Sequence, residues 1–281
     1  MNSTKQSFVD LALASSATNF LQATIADIDL PIVICLLGSF LLLKMGQPMR
    51  VASGGKAEIL LCILALQSNY CASRDTLLSI LWPVTHPTLA VQSLHSLIYS
   101  LRKQLGDAIG GAAPILHSNG YYQLNVEAGI GVDVASFDAL ADAGEQLALK
   151  GDSRAAAEVY RDALRLYRGD LCAGIDWQVV LERERLQVRY LNLLAHLAEA
   201  AFSENNYAVC LDYARRLLDK DPCREDAHRL IMRCYVRQGK RTQALRQYRL
   251  CQDILHAELD AVLEPTTIAL YDQMRLDPGS V

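Results

Sequence analysis

The stretch Leu81-Trp82-Pro83-Val84-Thr85-His86-Pro87, running on to Leu101-Arg102-Lys103-Gln104-Leu105-Gly106, decides how this sequence folds. Pro87 suits the first turn of a helix, Thr85 offers an N-cap hydroxyl and Gly106 offers a stop. Between them Ala90, Leu94, Leu97, Ile98, Leu101 and Leu105 recur at three- and four-residue steps and make one apolar stripe. The opposite face carries Gln92, Ser96, Tyr99 and Lys103, flanked by Ser93, His95, Ser100 and Arg102. No Asp or Glu occurs from Leu77 to Gly106, although the chain as a whole has a net charge of −4. A face of amides, hydroxyls, an imidazole and cations, without carboxylates, is one that a polyanion tolerates.

The charge is distributed unevenly. Residues 31–125 hold six Lys/Arg against three Asp/Glu, and residues 126–281 hold twenty against twenty-five. A mildly basic front and an acidic rear fit one domain for a polyanion and one for protein partners. At 281 residues and 51% apolar, the chain can build about two domains with a substantial core. The eight cysteines form no C-x-x-C pair and no zinc spacing with histidine, so a reduced, cytoplasmic protein is expected.

In chain order, residues 1–30 read as a poorly ordered or helical extension without a signal-peptide pattern. The apolar run Ile32 to Leu43 is about twelve residues long, short of a membrane span, and is divided by Gly38-Ser39 into two strands. Gly46-Gln47-Pro48 reads as a turn before a third strand, Met49-Arg50-Val51. Gly55-Lys56 has the look of a phosphate-binding loop, but Arg50 and Ala57 occupy positions that motif needs for Gly and Ser/Thr. Lys56 to Leu66 forms a helix, and Ser73 caps a second through Leu77, Leu78 and Leu81. The opening helix is third. Pro114 to His117 and Tyr121 to Leu124 flank the turn Ser118-Asn119-Gly120 and make a hairpin. Short strands, three helices and a closing hairpin, in that order, spell a winged helix-turn-helix over residues 31–126.

The phrases Leu36-Leu37-Gly38-Ser39-Phe40, Arg74-Asp75-x-Leu77, Leu81-Trp82-Pro83, Leu101-Arg102-Lys103-x-Leu105-Gly106 and Gly120-Tyr121-Tyr122-x-Leu124 resemble the winged-helix domain of bacterial SARP-type transcriptional activators. That domain is itself similar to the output domain of two-component response regulators. The resemblance implies that residues 86–105 are the recognition helix and residues 117–122 the wing. The DNA-binding residues would then be Gln92, Ser93, His95, Ser96, Tyr99 and Ser100 on the helix, meeting base edges or phosphates. Arg102, Lys103, His117, Ser118, Asn119 and Tyr121 join them, chiefly on the sugar-phosphate backbone. Ser100 stands where the family often has a cation, and Gln92 where Asn is common.

The second half, residues 131–275, reads as all helix, with a tail over 276–281. Gly151-Asp152 precedes Ala156-x3-Tyr160, Asn205-Asn206 precedes Cys210-x3-Ala214, and Gly239-Lys240 precedes Ala244-x3-Tyr248. The 34-residue step from Asn205 to Gly239, with small residues at helix contacts, is the mark of tetratricopeptide-like repeats. Ala163-Leu164-x-Leu166-Tyr167-Arg168-Gly169, Asp221-Pro222-x-x-Glu225 and His228-Arg229-Leu230-Ile231-Met232 are similar to the bacterial transcriptional activation domain of the same family. Asp260 replaces its usual glycine.

The expected fold is therefore mainly α: a winged helix-turn-helix with a short β platform, then a tetratricopeptide-like helical-repeat domain. The resemblance implies a cytoplasmic, nucleoid-associated activator that binds promoter repeats in double-stranded DNA, self-associates there and recruits RNA polymerase, with no membrane partner. Its rival is a helical-repeat adaptor whose winged helix no longer binds DNA. The six histidines are scattered, and no nucleophile, base or metal set gathers in the sequence. No catalytic residue, cofactor or metal is expected. The run Arg183, Arg185, Arg189, alternating with Glu182 and Glu184, reads as a solvated, salt-bridged helix or the lining of an inter-domain contact.

Overall fold

The computed structural model describes residues 30–51, 55–172, 179–277 and 279. The expected N-terminal extension lies outside them. The chain divides into two compact units: one holds the described residues up to Ala139 and returns for Arg165–Glu184, the other holds Leu140–Leu164 and the chain from Arg185 onward.

In the first unit, β1 (Ile32–Cys35) and β2 (Leu41–Lys44) pair antiparallel, with Ile32 opposite Lys44 and Cys35 opposite Leu41. The apolar run thus makes the two strands its Gly-Ser break announces. β3 is Gln47–Met49, not Met49–Val51. Met45 and Gly46 both adopt left-handed φ, 50° and 71°, so they form a two-residue hairpin turn and release Gln47 and Pro48 into the strand. Pro48 is tolerated because β3 is an edge strand.

Helix α1 (Gly55–Leu66) is followed by β4 (Cys71–Ser73), α2 (Arg74–Leu81) and α3 (Pro87–Leu105). The strands β5 (Ile115–Ser118), β6 (Tyr121–Leu124) and β7 (Ile130–Val132) complete the set. One sheet has the order β3-β2-β1-β7, with β7 parallel to β1, and the other has the order β4-β6-β5. At three residues each, β4 and β7 are too short to show an alternation in sequence.

Ser73 caps α2, its hydroxyl accepting from the Thr76 amide at 3.1 Å. The ends of α3 depart from expectation. His86, not Thr85, is the N-cap residue, and its side chain makes no capping bond. Pro87 pushes the residue before it out of helical geometry and so sets the start on its own. Gly106 stays right-handed and opens a short 3-10 turn to Ile109, which stops at left-handed Gly110. The stripe Ala90, Leu94, Leu97, Leu101 and Leu105 is buried, and Ile98 half-buried at its edge. Helix α3 packs on α2, and α1 packs on α2, β4 and β6.

The returning segment joins the first unit as a strap. Leu171 bridges Leu37, the Cys172 amide donates to the Leu36 carbonyl at 2.8 Å, and the Gly38 amide donates to the Asp170 carbonyl at 3.2 Å. Gly38 has φ +113°, and a Cβ there would stand 3.3 Å from Arg168 Cβ, so only glycine lets the strap lie this close. Asp133, 1% exposed, accepts from the Leu36 and Leu37 amides at 2.7 and 3.0 Å and from Arg168 Nη2 at 3.4 Å. Arg183 Nε donates to the Leu171 carbonyl at 3.2 Å. That arginine is a structural tie, not part of a solvated face.

The second unit takes in α4 (Asp133–Leu149) from Leu140, α5 (Ser153–Leu166) to Leu164 and α6 (Val180–Ser203) from Arg185. It continues with α7 (Tyr207–Lys220), α8 (Glu225–Arg237), α9 (Arg241–Leu259) and α10 (Pro265–Leu276). Gly151, Asn205 and Gly239 all adopt left-handed φ at the helix–helix turns, which makes the repeat visible in the backbone. Asp152 and Asn206 then cap the next helix through the amides of Ala155 and Val209. The small residues Ala156, Cys210 and Ala244 are buried at equivalent places. At Gly144 a Cβ would come within 2.3 Å of the Tyr160 ring, the tightest of these helix approaches. Ala198, Ala201, Phe202, Cys210, Ala214, Leu230 and Cys234 form one core layer, and Met232, Ala244, Leu270 and Met274 the next. Arg189 pairs with Asp142 and, at 3.9 Å, with Glu145, so it too is committed within its unit. Asp260, at φ 47°, holds the left-handed conformation that explains why glycine is usual there.

Candidate nucleic-acid interface

The interface is built on α3 because the buried stripe fixes which residues look outward. Gln92, His95, Ser96, Tyr99, Arg102 and Lys103 are exposed, and Tyr99 is 71% exposed although aromatic. Ser93 and Ser100 are half-buried at the edges of this face. The Ser100 hydroxyl accepts from the Gln104 amide at 3.3 Å, a bond within the helix. Arg102 and Lys103 have no side-chain partner among the described residues, and they close the last turn of α3, where cations complement the helix dipole.

The other four candidates sit on the β5–β6 hairpin. Asn119 and Gly120 take left-handed φ, 50° and 78°, in a two-residue turn that presents Ser118 and Asn119 to solvent. The two tyrosines of the wing have opposite fates. Tyr122 is buried and stacks on His117 with ring centroids 4.4 Å apart, whereas Tyr121 is 56% exposed. Strand alternation explains the split. Ser73, in β4, stands opposite Tyr121, and the Arg74 amide donates to the Gly120 carbonyl at 2.8 Å. The chain therefore passes from the wing's partner strand directly into α2. The helix candidates and the hairpin candidates are held on one unit, as two separate elements.

Arg74 was missed as a site residue by sequence reasoning. Its half-exposed side chain stands at the wing's base, 3.6 Å from Asp75, near enough for its charge to reach Tyr122. The signal was available in part: a cation directly after a Ser cap, in a strand-to-helix junction. Two other cations of the unit, Lys44 and Lys56, are used locally. Lys44 donates to Asp107 at 2.6 Å and to the Gln104 carbonyl at 2.8 Å, and it holds the Asp107 carboxyl below the usual range. Lys56 lies 4.7 Å over the Trp82 ring. Burial pushes the Asp133 carboxyl up, against the opposing pull of the two amides and Arg168.

In the second unit a groove of about 430 Å³ lies between α6, α8 and α10, floored by Leu230 and Leu270. Arg229, Arg233 and Arg237 line it on successive turns of α8. Arg229 Nη1 donates to Glu264 at 2.5 Å, and Arg233 lies 3.7 Å from Glu199 and 4.1 Å over the Phe202 ring. Among the described residues no group of three His, Cys, Asp or Glu could hold a metal ion, and no helix is long and apolar enough to cross a membrane.

Residues 132–275 match the family model described as the bacterial transcriptional activator domain. The regulatory protein DnrI of Streptomyces peucetius is 27% identical over 228 residues, covering 77% of this chain and 83% of the relative. The transcriptional regulatory protein MoaR1 of Mycobacterium tuberculosis is 27% identical over 222 residues, covering 78% and 71%. The solved structure of Mycobacterium tuberculosis EmbR, in complex with a low-affinity phosphopeptide, aligns with a TM-score of 0.73 at 24% identity. It covers 89% of this chain and 68% of that one, and bears on the fold. With the model spanning half the sequence and a winged helix ahead of it, the chain belongs to the bacterial transcriptional activator domain family, as a regulator of the SARP type.

Proposed function

We propose that the chain is a sequence-specific, DNA-binding transcriptional activator whose α3 enters the major groove and whose β5–β6 hairpin tracks the adjoining backbone. The observation that carries this reading is the outer face of α3. It is exposed, free of carboxylates along its length, and ends in two cations that no described residue engages. Gln92, His95, Ser96 and Tyr99 are placed to read base edges, and Arg102, Lys103, Ser118 and Asn119 to hold phosphates. Ser93, Ser100, His117 and Tyr121 take the margins, and Arg74 adds a phosphate contact at the wing's base.

Few cations remain free, so a single copy binds weakly and promoter repeats gain strength from neighbouring copies. The helical-repeat unit supplies the surface for self-association and for RNA polymerase, and recruitment rather than covalent chemistry is the work done. The protein acts in the cytoplasm, at the nucleoid. The test is occupancy of genomic DNA by the tagged protein, with Arg102→Ala/Lys103→Ala as the control. Discrete peaks sharing a repeated motif, lost in the double variant, support the reading. Binding of purified protein should fall steeply with salt, and the slope should flatten by about 2 in the variant.

A second reading, a protein–protein adaptor, draws on the engagement of Lys44 by Asp107 and on the groove between α6, α8 and α10. Absence of peaks with soluble, expressed protein would favour it.

A further inference from the structure

The chemistry of α3 bears on which bases it can tell apart. From Pro87 to Leu101 the helix has no Asp, Glu, Lys or Arg, and its two cations come only in the last turn. In the major groove guanine is read chiefly by a guanidinium or ammonium group at O6 and N7, and cytosine by a carboxylate at its N4 amino group. The middle of α3 offers neither. Its exposed polar side chains there are an amide (Gln92), an imidazole (His95), a hydroxyl (Ser96) and a phenol (Tyr99).

These four are unequal as readers. The Ser96 hydroxyl turns to donate or accept and so suits either base of a pair. The two ring nitrogens of His95 point apart, and the phenol of Tyr99 has a single oxygen, so each makes one bond at a time to a base edge. Only the Gln92 amide holds a donor and an acceptor side by side in one plane. Adenine presents the complement, an acceptor at N7 and a donor at N6, whereas guanine presents two acceptors and would set its O6 against the amide oxygen. The amide is also available. Gln92 is exposed with no side-chain partner among the described residues, while Gln104 of the same helix is half-buried and donates to Ser100 at 3.3 Å. Arg102 stands roughly 15 Å farther along the helix axis at 1.5 Å per residue. The cations can therefore grip the backbone at one end while the N-terminal half of α3, where Gln92 lies, faces the bases.

We propose that Gln92 is the specificity-determining residue of α3, reading adenine through a bidentate contact to N6 and N7, and that the base pairs under the middle of the helix are A·T. This rests on the docking of α3 in the major groove put forward above. The test selects bound sequences from a randomised double-stranded DNA library with the intact protein. The affinities of the selected site and its single-base variants are then measured by fluorescence anisotropy. The expected core is dominated by A·T pairs, with one adenine whose replacement by guanine weakens binding about 5- to 150-fold. Gln92→Ala should flatten the preference at that base and leave the other positions unchanged, and Gln92→Lys should move it to guanine. Both variants should melt with the wild type, because the side chain replaced is exposed and unbonded. Arg102→Ala, by contrast, should weaken all sites to the same degree. A selected core rich in G·C, or an adenine preference that survives Gln92→Ala, would overturn the assignment while leaving DNA binding in place. If no sequence were enriched, the docking itself would fall and the assignment with it.

Discussion

The outer face of α3 and the groove face of α8 are both polar helix faces, and they differ in where their charges end. On α8, Arg229 and Arg233 terminate on Glu264 and Glu199, acids supplied by the same unit. On α3, Arg102 and Lys103 terminate in solvent, on a helix that carries no acid. Packing explains the first arrangement without any partner, because partly buried guanidinium groups need counter-charges. It does not explain the second. A face of uncommitted donors is stable in water and becomes useful only when something anionic arrives. Charge alone would not separate the two helices; the fate of each charge does.

The comparison makes committed groups matter for stability and uncommitted ones for binding. The harshest test is Asp133→Ala, which strands the Leu36 and Leu37 amides and leaves the 13%-exposed Arg168 side chain without its acid. A loss of about 3–5 kcal/mol is expected in chemical denaturation of the first unit. Gly38→Ala attacks the same junction through its backbone, and the positive φ and the Arg168 contact predict about 1–3 kcal/mol by the same measurement. Arg102→Ala/Lys103→Ala should change stability by less than about 0.5 kcal/mol while weakening DNA binding by about 1–3 kcal/mol, read by thermal melting beside fluorescence anisotropy. If that double variant melted early, the two faces would not be different in kind.

The mildest test is a pH titration of His228. Its ring is fully buried, Nε2 donating to the Pro222 carbonyl at 3.0 Å and Nδ1 accepting from Gln247 at 2.7 Å, and burial holds its pKa below the ordinary value. The unfolded chain takes up a proton near pH 6.5 that the folded chain refuses. The contribution is therefore complete above pH 6.5 and is lost as pH falls below it. Melting curves between pH 7.5 and 5.5 should show this slope in the wild type and a flatter one in His228→Gln.

The sequence declared α3, the wing and the repeat because each is local. A stripe at three- and four-residue steps, an Asn-Gly turn and a 34-residue step are all visible within one element or between like elements. What escaped depends on distant partners. Nothing near Asp133 announces that its carboxylate meets the amides of Leu36 and Leu37, and nothing near Arg183 or Arg189 announces a carbonyl in the strap or the acids of α4. Those arginines look solvated because their neighbours alternate in charge. The register of β3 was missed because Met45 gives no sign of left-handed φ. On α3 the exposed face was legible from the apolar stripe, and the fate of the wing tyrosines was not. Which of Tyr121 and Tyr122 turns inward depends on strand pairing, and Arg74 entered only through that same pairing with β4.

The strap also sets a timetable for synthesis. The Leu36 and Leu37 amides, just past β1, wait for Asp133, and the Leu36 carbonyl waits for Cys172, which leaves the ribosome 39 residues later. At the usual pace of bacterial elongation that interval is roughly 2–8 s. During it the nascent DNA-binding unit has its sheet and helices but not its closing segment, and the intervening helices emerge before the unit they interrupt is complete.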